Sequence, residues 1–333
     1  MKMKSEARAA VFVPHLGCPN DCVFCNQRAI AGVTLPATPK DVHEAADRVR
    51  NVAAKNSEIA FFGGSFTAID REYMISLLSA ARQELEKGGF SGIRVSTRPD
   101  CIDEDILSLL KQYGVSIIEL GAQSMIDSVL EASGRGHTAD DTRRASELIK
   151  KSGIRLGLQM MTGLPGDDDE GALLTADELI AIAPECVRIY PTCVLKNTKL
   201  ADMYKKGVYV PQTVEKAVSL CVSLYEKFER AGINVIRLGL QRTESCENDI
   251  IAGAWHPAFG ELVYGEIKYE RLRGYFLNNP PERGIYAVSC DNSQVSVYVG
   301  QKRRNFERIE GEFGIRLKVD VSGEYVNGHV RRI

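Results

Sequence analysis

The chain has 333 residues, 44% hydrophobic and 26% charged, with 42 basic against 44 acidic side chains and a net charge of −2. That length allows one large domain with an appendage, or two domains, and the balanced charge excludes a global field that would draw in nucleic acid or a membrane. No apolar run reaches the roughly 18 residues of a membrane span, and the N-terminal apolar run stops at Pro14, too short for a secretory signal; a cytoplasmic chain with mostly reduced cysteines is expected, with no membrane or DNA partner.

The first predicted strand is "AAVFVP", residues 9–14, and it runs into "HLGCPNDCVFCNQRAIAG", residues 15–32. This loop places Cys18, Cys22 and Cys25 together, whereas Cys101, Cys186, Cys193, Cys221, Cys246 and Cys290 are dispersed, as small buried hydrophobes are. A tight cysteine group in a reduced chain points to metal or catalysis. Two metals compete for it. Iron–sulfur clusters are held by thiolates at short spacings, and three thiolates on a four-iron cluster leave one iron open. Zinc is the structural alternative, since His15 extends the motif to H-x2-C-x3-C-x2-C and completes a Cys3His tetrahedron. Zinc ligands usually come as separated pairs, which favours iron–sulfur. Phe24, directly before the third cysteine, is placed to face whatever occupies the open iron.

Downstream, strands and helices alternate. "TPKDVHEAADRVR" reads as a helix with Thr38 as N-cap and Pro39 in its first turn. Strands follow at "EIAFF" (58–62), "GIRVS" (92–96) and "VSIIEL" (115–120). A helix runs from Thr138 to Gly153, and further strands lie at "IRLGLQMM" (154–161), "CVRIY" (186–190) and "NVIRL" (234–238). Repeated strand–helix–strand units imply right-handed crossovers and an α/β fold, a full or partial (β/α) TIM-like barrel of six to seven parallel strands.

Unusual residues recur just after each strand: the cysteine loop, "GGSFT", "STRPD", "GAQS", "TGLPG", "YPTC" and "GLQ". In a parallel barrel those strand ends share one rim, so seven motifs distant in sequence converge there. Gly63 and Gly64 let backbone approach a ligand closely, and Ser65 adds a hydroxyl. Thr97, Arg98 and Gln123 are candidates for carboxylate or ribose oxygens, with the planar fork of Arg98 suited to a carboxylate. Tyr190, Cys193 and Tyr204 receive no role, and no catalytic residue is assigned.

The C-x3-C-x2-C motif with an aromatic before its third cysteine resembles the radical S-adenosylmethionine (radical SAM) enzymes. The blocks "FFGGSFTAI", "STRPDCIDEDILSLLKQYGVSIIELGAQSM", "VLEASGRGHTADDTRRASELIKKSGIRLGLQMMTGLPG" and "VRIYPTCVLKNTKLADMYKKGVYVP" resemble, in order, the radical domain of the Elongator catalytic subunit family, over roughly residues 8–242. The resemblance implies that Cys18, Cys22 and Cys25 hold a [4Fe-4S] cluster. It also implies that Gly63, Gly64 and Ser65 take the place of the Gly-Gly-acidic motif that binds the S-adenosyl-L-methionine amino group, with Ser65 where the superfamily has an acidic residue; Phe24, Thr97, Arg98, Gln123 and Gly163 are the other candidate cofactor contacts. Reductive cleavage of the cofactor to a 5′-deoxyadenosyl radical, with electrons from a flavodoxin or ferredoxin, is then the expected chemistry. About 90 residues follow the radical domain, too few for that family's acetyltransferase domain, so a different substrate is expected: an RNA base, tRNA included, or else a small metabolite or porphyrin-like molecule. A non-enzymatic zinc-stabilised binding module is the alternative of another class.

A radical core over 1–242 and a small C-terminal domain over 243–333, KH-like or capping, complete the expected organisation. Residues 245–333 carry 12 basic and 12 acidic side chains, so the appendage is not overtly a nucleic-acid domain. Trp255 and His256 are placed to cover the barrel mouth or to pack a junction. "VSVYV" (295–299) alternates like a strand, then "GQKRRN" precedes a helix whose Phe306, Ile309 and Phe313 share one face. Lys302, Arg303 and Arg304 at that helix start are candidate RNA contacts, resembling a KH module's GXXG loop with Arg303 in place of the second glycine.

Overall fold

The computed structural model describes residues 8–13, 18, 20–26, 35–50, 57–240 and 244–333. The chain divides into two compact units, Met1–Thr213 with Lys227–Trp255, and Val214–Glu226 with His256–Ile333. The smaller unit thus takes in a helical stretch well upstream of residue 243. No helix among the described residues is long and apolar enough to cross a membrane.

The larger unit contains β1 (Arg8–Val13), β2 (Glu58–Gly63), β3 (Gly92–Thr97), β4 (Val115–Gln123), β5 (Arg155–Thr162), β6 (Cys186–Pro191), β7 (Cys193–Leu195), β8 (Asn234–Leu238) and β9 (Ile250–Gly253). Seven of them form one parallel sheet in the order β1-β2-β3-β4-β5-β6-β8. Among the described strands β1 and β8 do not pair, so the sheet is a partial barrel; β7 and β9 form a separate antiparallel pair.

Helix ends carry the expected chemistry. Around Thr38, the Asp41 amide donates to Thr38 Oγ1 at 3.4 Å and Asp41 Oδ2 accepts from the Thr38 amide at 2.7 Å, and helix Pro39–Arg50 follows. Thr138 and Asp141 repeat this capping box before helix Ala139–Ser152, which stops where Gly153 turns left-handed at φ 81°. That helix lies against β4 and β5. Strand residues facing the helices, such as Ile93, Val95, Ile118, Leu158 and Ile189, are fully buried.

The inner face of the sheet departs from the branched aliphatic layers that fill a closed barrel. Arg94 donates from Nε to Glu58 Oε2 at 2.7 Å and from Nη1 to Glu119 Oε1 at 2.6 Å. Arg188 Nε lies 2.9 Å from Glu119 Oε2. All four side chains are buried. Ionic groups on neighbouring strands therefore replace apolar packing across the lower barrel.

The smaller unit has a three-stranded sheet in the order β11-β10-β12, from β10 (Ile285–Ser289), β11 (Arg316–Asp320) and β12 (Val330–Arg332). Tyr269, Leu272, Phe276, Val288, Phe306, Ile309 and Leu317 form its core. Helix Arg304–Phe313 ends at Gly314, φ 66°, as its sequence indicates. "VSVYV" does not form the expected strand; Val295–Val299 is a short helix. Val295, Tyr298 and Val299 meet the core at helical spacing, so tertiary packing overrides the β preference of branched residues, and Gly300 at φ 75° ends the turn.

Candidate active site

The C-terminal ends of the larger unit's strands surround a cavity of about 220 Å³. Cys18, Cys22 and Cys25 all line it, together with Phe24, Gly63, Gly64, Ser65, Thr97, Arg98 and Gln123. Gly163 does not: its carbonyl accepts from Tyr209 Oη at 2.6 Å, and its φ of 69° serves the turn after β5. His15 and Gln241 lie outside the described residues. Trp255 does not line the cavity, and Tyr204 is exposed.

Two segments hold the cysteine loop. The Val23 amide donates to Ser133 O at 3.0 Å and Val23 O accepts from the Leu200 amide at 2.8 Å, while Cys22 and Cys25 close a turn. Gly136, at φ 70°, lies so close to Asn20 that a Cβ there would come within 2.3 Å of its amide nitrogen. "SGRGHT" is therefore a clamp on the cysteine loop. Phe24 packs against a small apolar cluster of Val194, Leu200, Ala201 and Tyr209.

At the end of β2, Gly63 has φ 117°, and a Cβ there would sit 2.4 Å from Val13 O. The Gly64 amide donates to that same carbonyl at 3.0 Å, so the two glycines seat the strand that leads into the cysteine loop. Gly63→Ala is expected to cost about 2 kcal/mol and to lower iron content after reconstitution. Denaturant midpoint and iron analysis read the two effects.

Several expected contacts are already committed. Ser65 Oγ lies 3.5 Å from Cys18 Sγ, and Thr97 Oγ1 lies 2.6 Å from Thr67 Oγ1. Arg98 binds Asp100 through Nε and Nη2, each at 2.9 Å, and Nη2 also donates to Arg135 O at 2.5 Å. Its bidentate edge thus serves Asp100, and only the buried Nη1 is left without a partner. Gln123, at φ 65° on a bulge of β4, accepts from Gln159 Nε2 at 3.1 Å.

Sequence reasoning missed Arg135, which is buried, lines the cavity and places Nη1 3.4 Å from Cys22 Sγ. Its Nη2 donates to Gly121 O at 2.7 Å and its Nε has no partner. The signal was an arginine between two glycines, each needed at positive φ. Gln159, Glu119, Arg188 and Tyr190 also reach the cavity, all from alternate positions of strands.

Burial and the neighbouring Arg135 and Arg98 push the His137 pKa down from 6.5 to about 4. This imidazole is buried and bonded only to Ala122 O, so it stays neutral. The unfolded chain takes up a proton first as pH falls. Native stability from this group is complete above pH 6.5 and declines toward pH 4, by about 3 kcal/mol. His137→Gln is expected to flatten that decline in urea titrations at stepped pH.

Three of the dispersed cysteines are shifted by their burial. Burial pushes Cys101 and Cys186 up to about 11 and Cys221 up to about 12, which keeps them as thiols.

Around "GQKRRN" the charges are divided. Arg303 Nη2 pairs with Glu310 at 2.6 Å and donates to Leu317 O at 3.2 Å, whereas Lys302 and Arg304 are exposed. Both face a cavity within the smaller unit that is also lined by Glu215, Glu226, Glu261, Glu266, Glu270 and Glu307.

The residues present fit a thiolate-held cluster, which Cys18, Cys22 and Cys25 would hold. Three thiols open into one cavity, and the buried Arg98 Nη1 and Arg135 Nε are unsatisfied donors beside them. Comparison with known proteins agrees. The Radical SAM superfamily profile matches residues 12–179 and the Radical SAM C-terminal domain profile matches 184–269. A tRNA uridine(34) acetyltransferase of Methanocaldococcus jannaschii is 29% identical over 237 residues, 65% of this chain and 42% of that protein. Elongator complex protein 3 of Schizosaccharomyces pombe is 28% identical over 184 residues, 49% of this chain and 34% of that protein. The chain therefore spans less than half the length of these relatives. The structure of Methanocaldococcus infernus Elp3 with an N-terminal deletion overlays with a TM-score of 0.63 at 24% identity, covering 80% of this chain and 63% of that one, which shows a shared fold. A family match over half of the chain sets aside the zinc-stabilised module. The chain belongs to the radical S-adenosylmethionine superfamily, enzymes whose cofactors are a [4Fe-4S] cluster and S-adenosyl-L-methionine.

Proposed function

We propose that this enzyme modifies a base of RNA, tRNA being the first candidate, by hydrogen abstraction in the β-barrel cavity. The observation that carries this reading is the similarity to tRNA uridine(34) acetyltransferases, which covers 65% of this chain. In it, Cys18, Cys22 and Cys25 hold the cluster, and the Gly63–Gly64 backbone lies beside the cofactor's amino group. Arg135 Nε and Arg98 Nη1 face its carboxylate, and Gln123 and Gln159 its ribose. When bound, cluster and cofactor supply a 5′-deoxyadenosyl radical that takes hydrogen from a substrate carbon. Phe12, Phe24 and Phe62 line the same cavity and give it an apolar wall. A flavodoxin or ferredoxin supplies the electron.

The test is anaerobic incubation of reconstituted protein with dithionite, S-adenosyl-L-methionine and bulk tRNA, followed by nucleoside mass spectrometry. A nucleoside of altered mass together with 5′-deoxyadenosine is expected. Product formed instead from the small-molecule fraction of a cell extract overturns the RNA assignment. Lys302 and Arg304 are the cations of the smaller unit that this reading sets against RNA phosphates. Reversing both charges is then expected to weaken tRNA binding and to reduce its salt slope by about 2. An unchanged slope removes that surface from the reading.

A further inference from the structure

Arg188 is buried, lines the catalytic cavity and is fixed on three sides. Its Nε lies 2.9 Å from Glu119 Oε2, its Nη1 donates to Tyr190 Oη at 3.3 Å, and its guanidinium carbon sits 5.3 Å from the centre of the Phe62 ring. Nη2 has no partner, and Nε, though close to Glu119, makes no hydrogen bond. Tyr190, which also lines the cavity, accepts from Arg188 and so keeps its own O–H to donate. Two donors and no acceptor are thus presented from successive inner positions of β6.

Arg94 and Arg188 share Glu119, and Arg94 also pairs with Glu58. Arg8 is held below its ordinary range by burial and by repulsion from Arg94 and Arg188. Arg237, beside Arg188 in register, adds another cation and turns its donors to Gly239 O and Leu240 O. A buried donor left unmade costs free energy unless a ligand completes it.

We propose that Arg188 Nη2 and the Tyr190 hydroxyl form an oxyanion subsite, taking a carboxylate or phosphate of the molecule that reacts in the cavity. The subsite is independent of whether that molecule is RNA. Glu119 lies against Nε, the Phe62 ring flanks the guanidinium, and Arg188 and Tyr190 both line the cavity.

The test is calorimetric titration of sodium acetate, and separately of sodium phosphate, into cluster-loaded protein saturated with S-adenosyl-L-methionine. Saturable binding of one of them is expected, and which one it is identifies the oxyanion. The double variant Arg188→Met with Glu119→Gln removes both charges of the pair together and is expected to weaken binding at least about tenfold. Tyr190→Phe, which keeps the ring, is expected to weaken it about threefold. Circular dichroism and cluster absorbance establish that each variant is folded and loaded. Absence of binding in the wild type, or wild-type affinity in the folded double variant, overturns the proposal. Competition between the anion and S-adenosyl-L-methionine also overturns it, by assigning the free edge to the cofactor's own carboxylate.

Discussion

Cys22→Ala protein, reconstituted without oxygen, will lose its brown cluster and form 5′-deoxyadenosine more than about a hundredfold more slowly than wild type. Removing a residue that merely supports a metal ligand costs about 10- to 100-fold, so removing a ligand costs more. Cys22 is the most telling of the three, since it is buried and Arg135 Nη1 sits 3.4 Å from its sulfur. The backbone bonds of Val23 to Ser133 and Leu200 persist in the variant, so the loop keeps its place. Cys221→Ala is the control: it removes a buried thiol that does not line the cavity and is expected to leave iron content intact. A Cys22→Ala protein with full iron and sulfide would show that the ligand set is wrong.

Glu119→Gln is expected to destabilise the fold by about 3 to 5 kcal/mol. The substitution is nearly isosteric, so the loss is electrostatic. It strips the counter-charge from Arg188 and one of two counter-charges from Arg94, both buried. Adding Arg188→Met to Glu119→Gln is expected to restore much of the loss, as measured by denaturant unfolding. Burial alone would raise the pKa of this carboxyl, but Arg188 and Arg94 outweigh it and hold it below the usual range. Its contribution is therefore complete above the unfolded value of about 4.3 and is lost as pH falls through the lower folded value.

Much of the larger unit was legible because its information is local. Each strand carries its own period, each helix its own cap, and each strand end its own turn residues, so the rim and the cysteine loop could be placed without knowing any long-range contact. The interior was not legible for the opposite reason. Arg94, Glu119 and Arg188 sit at alternate strand positions, where charge ordinarily marks a solvent face, and only cross-strand pairing turns them into a buried network. Arg98 misled for a similar reason: its fork suits a carboxylate, and Asp100 two residues on supplies one. "VSVYV" has a strand's alternation over five residues, too short to outweigh packing on Phe306 and Tyr269. Val214–Glu226 continues a single helix, Val214–Arg230, so no break in pattern shows that it divides between units.

Among the described residues the outer edges of β1 and β8 carry no strand partner, which bears on which molecules this cavity admits. A ring of strands closed on every side filters guests by their whole bulk. A sheet open along one seam filters only the part that enters, so a nucleotide swung out of a large polymer meets the same size limit as a free metabolite. A space of about 220 Å³ thus selects the reacting group and leaves the rest of the molecule unmeasured.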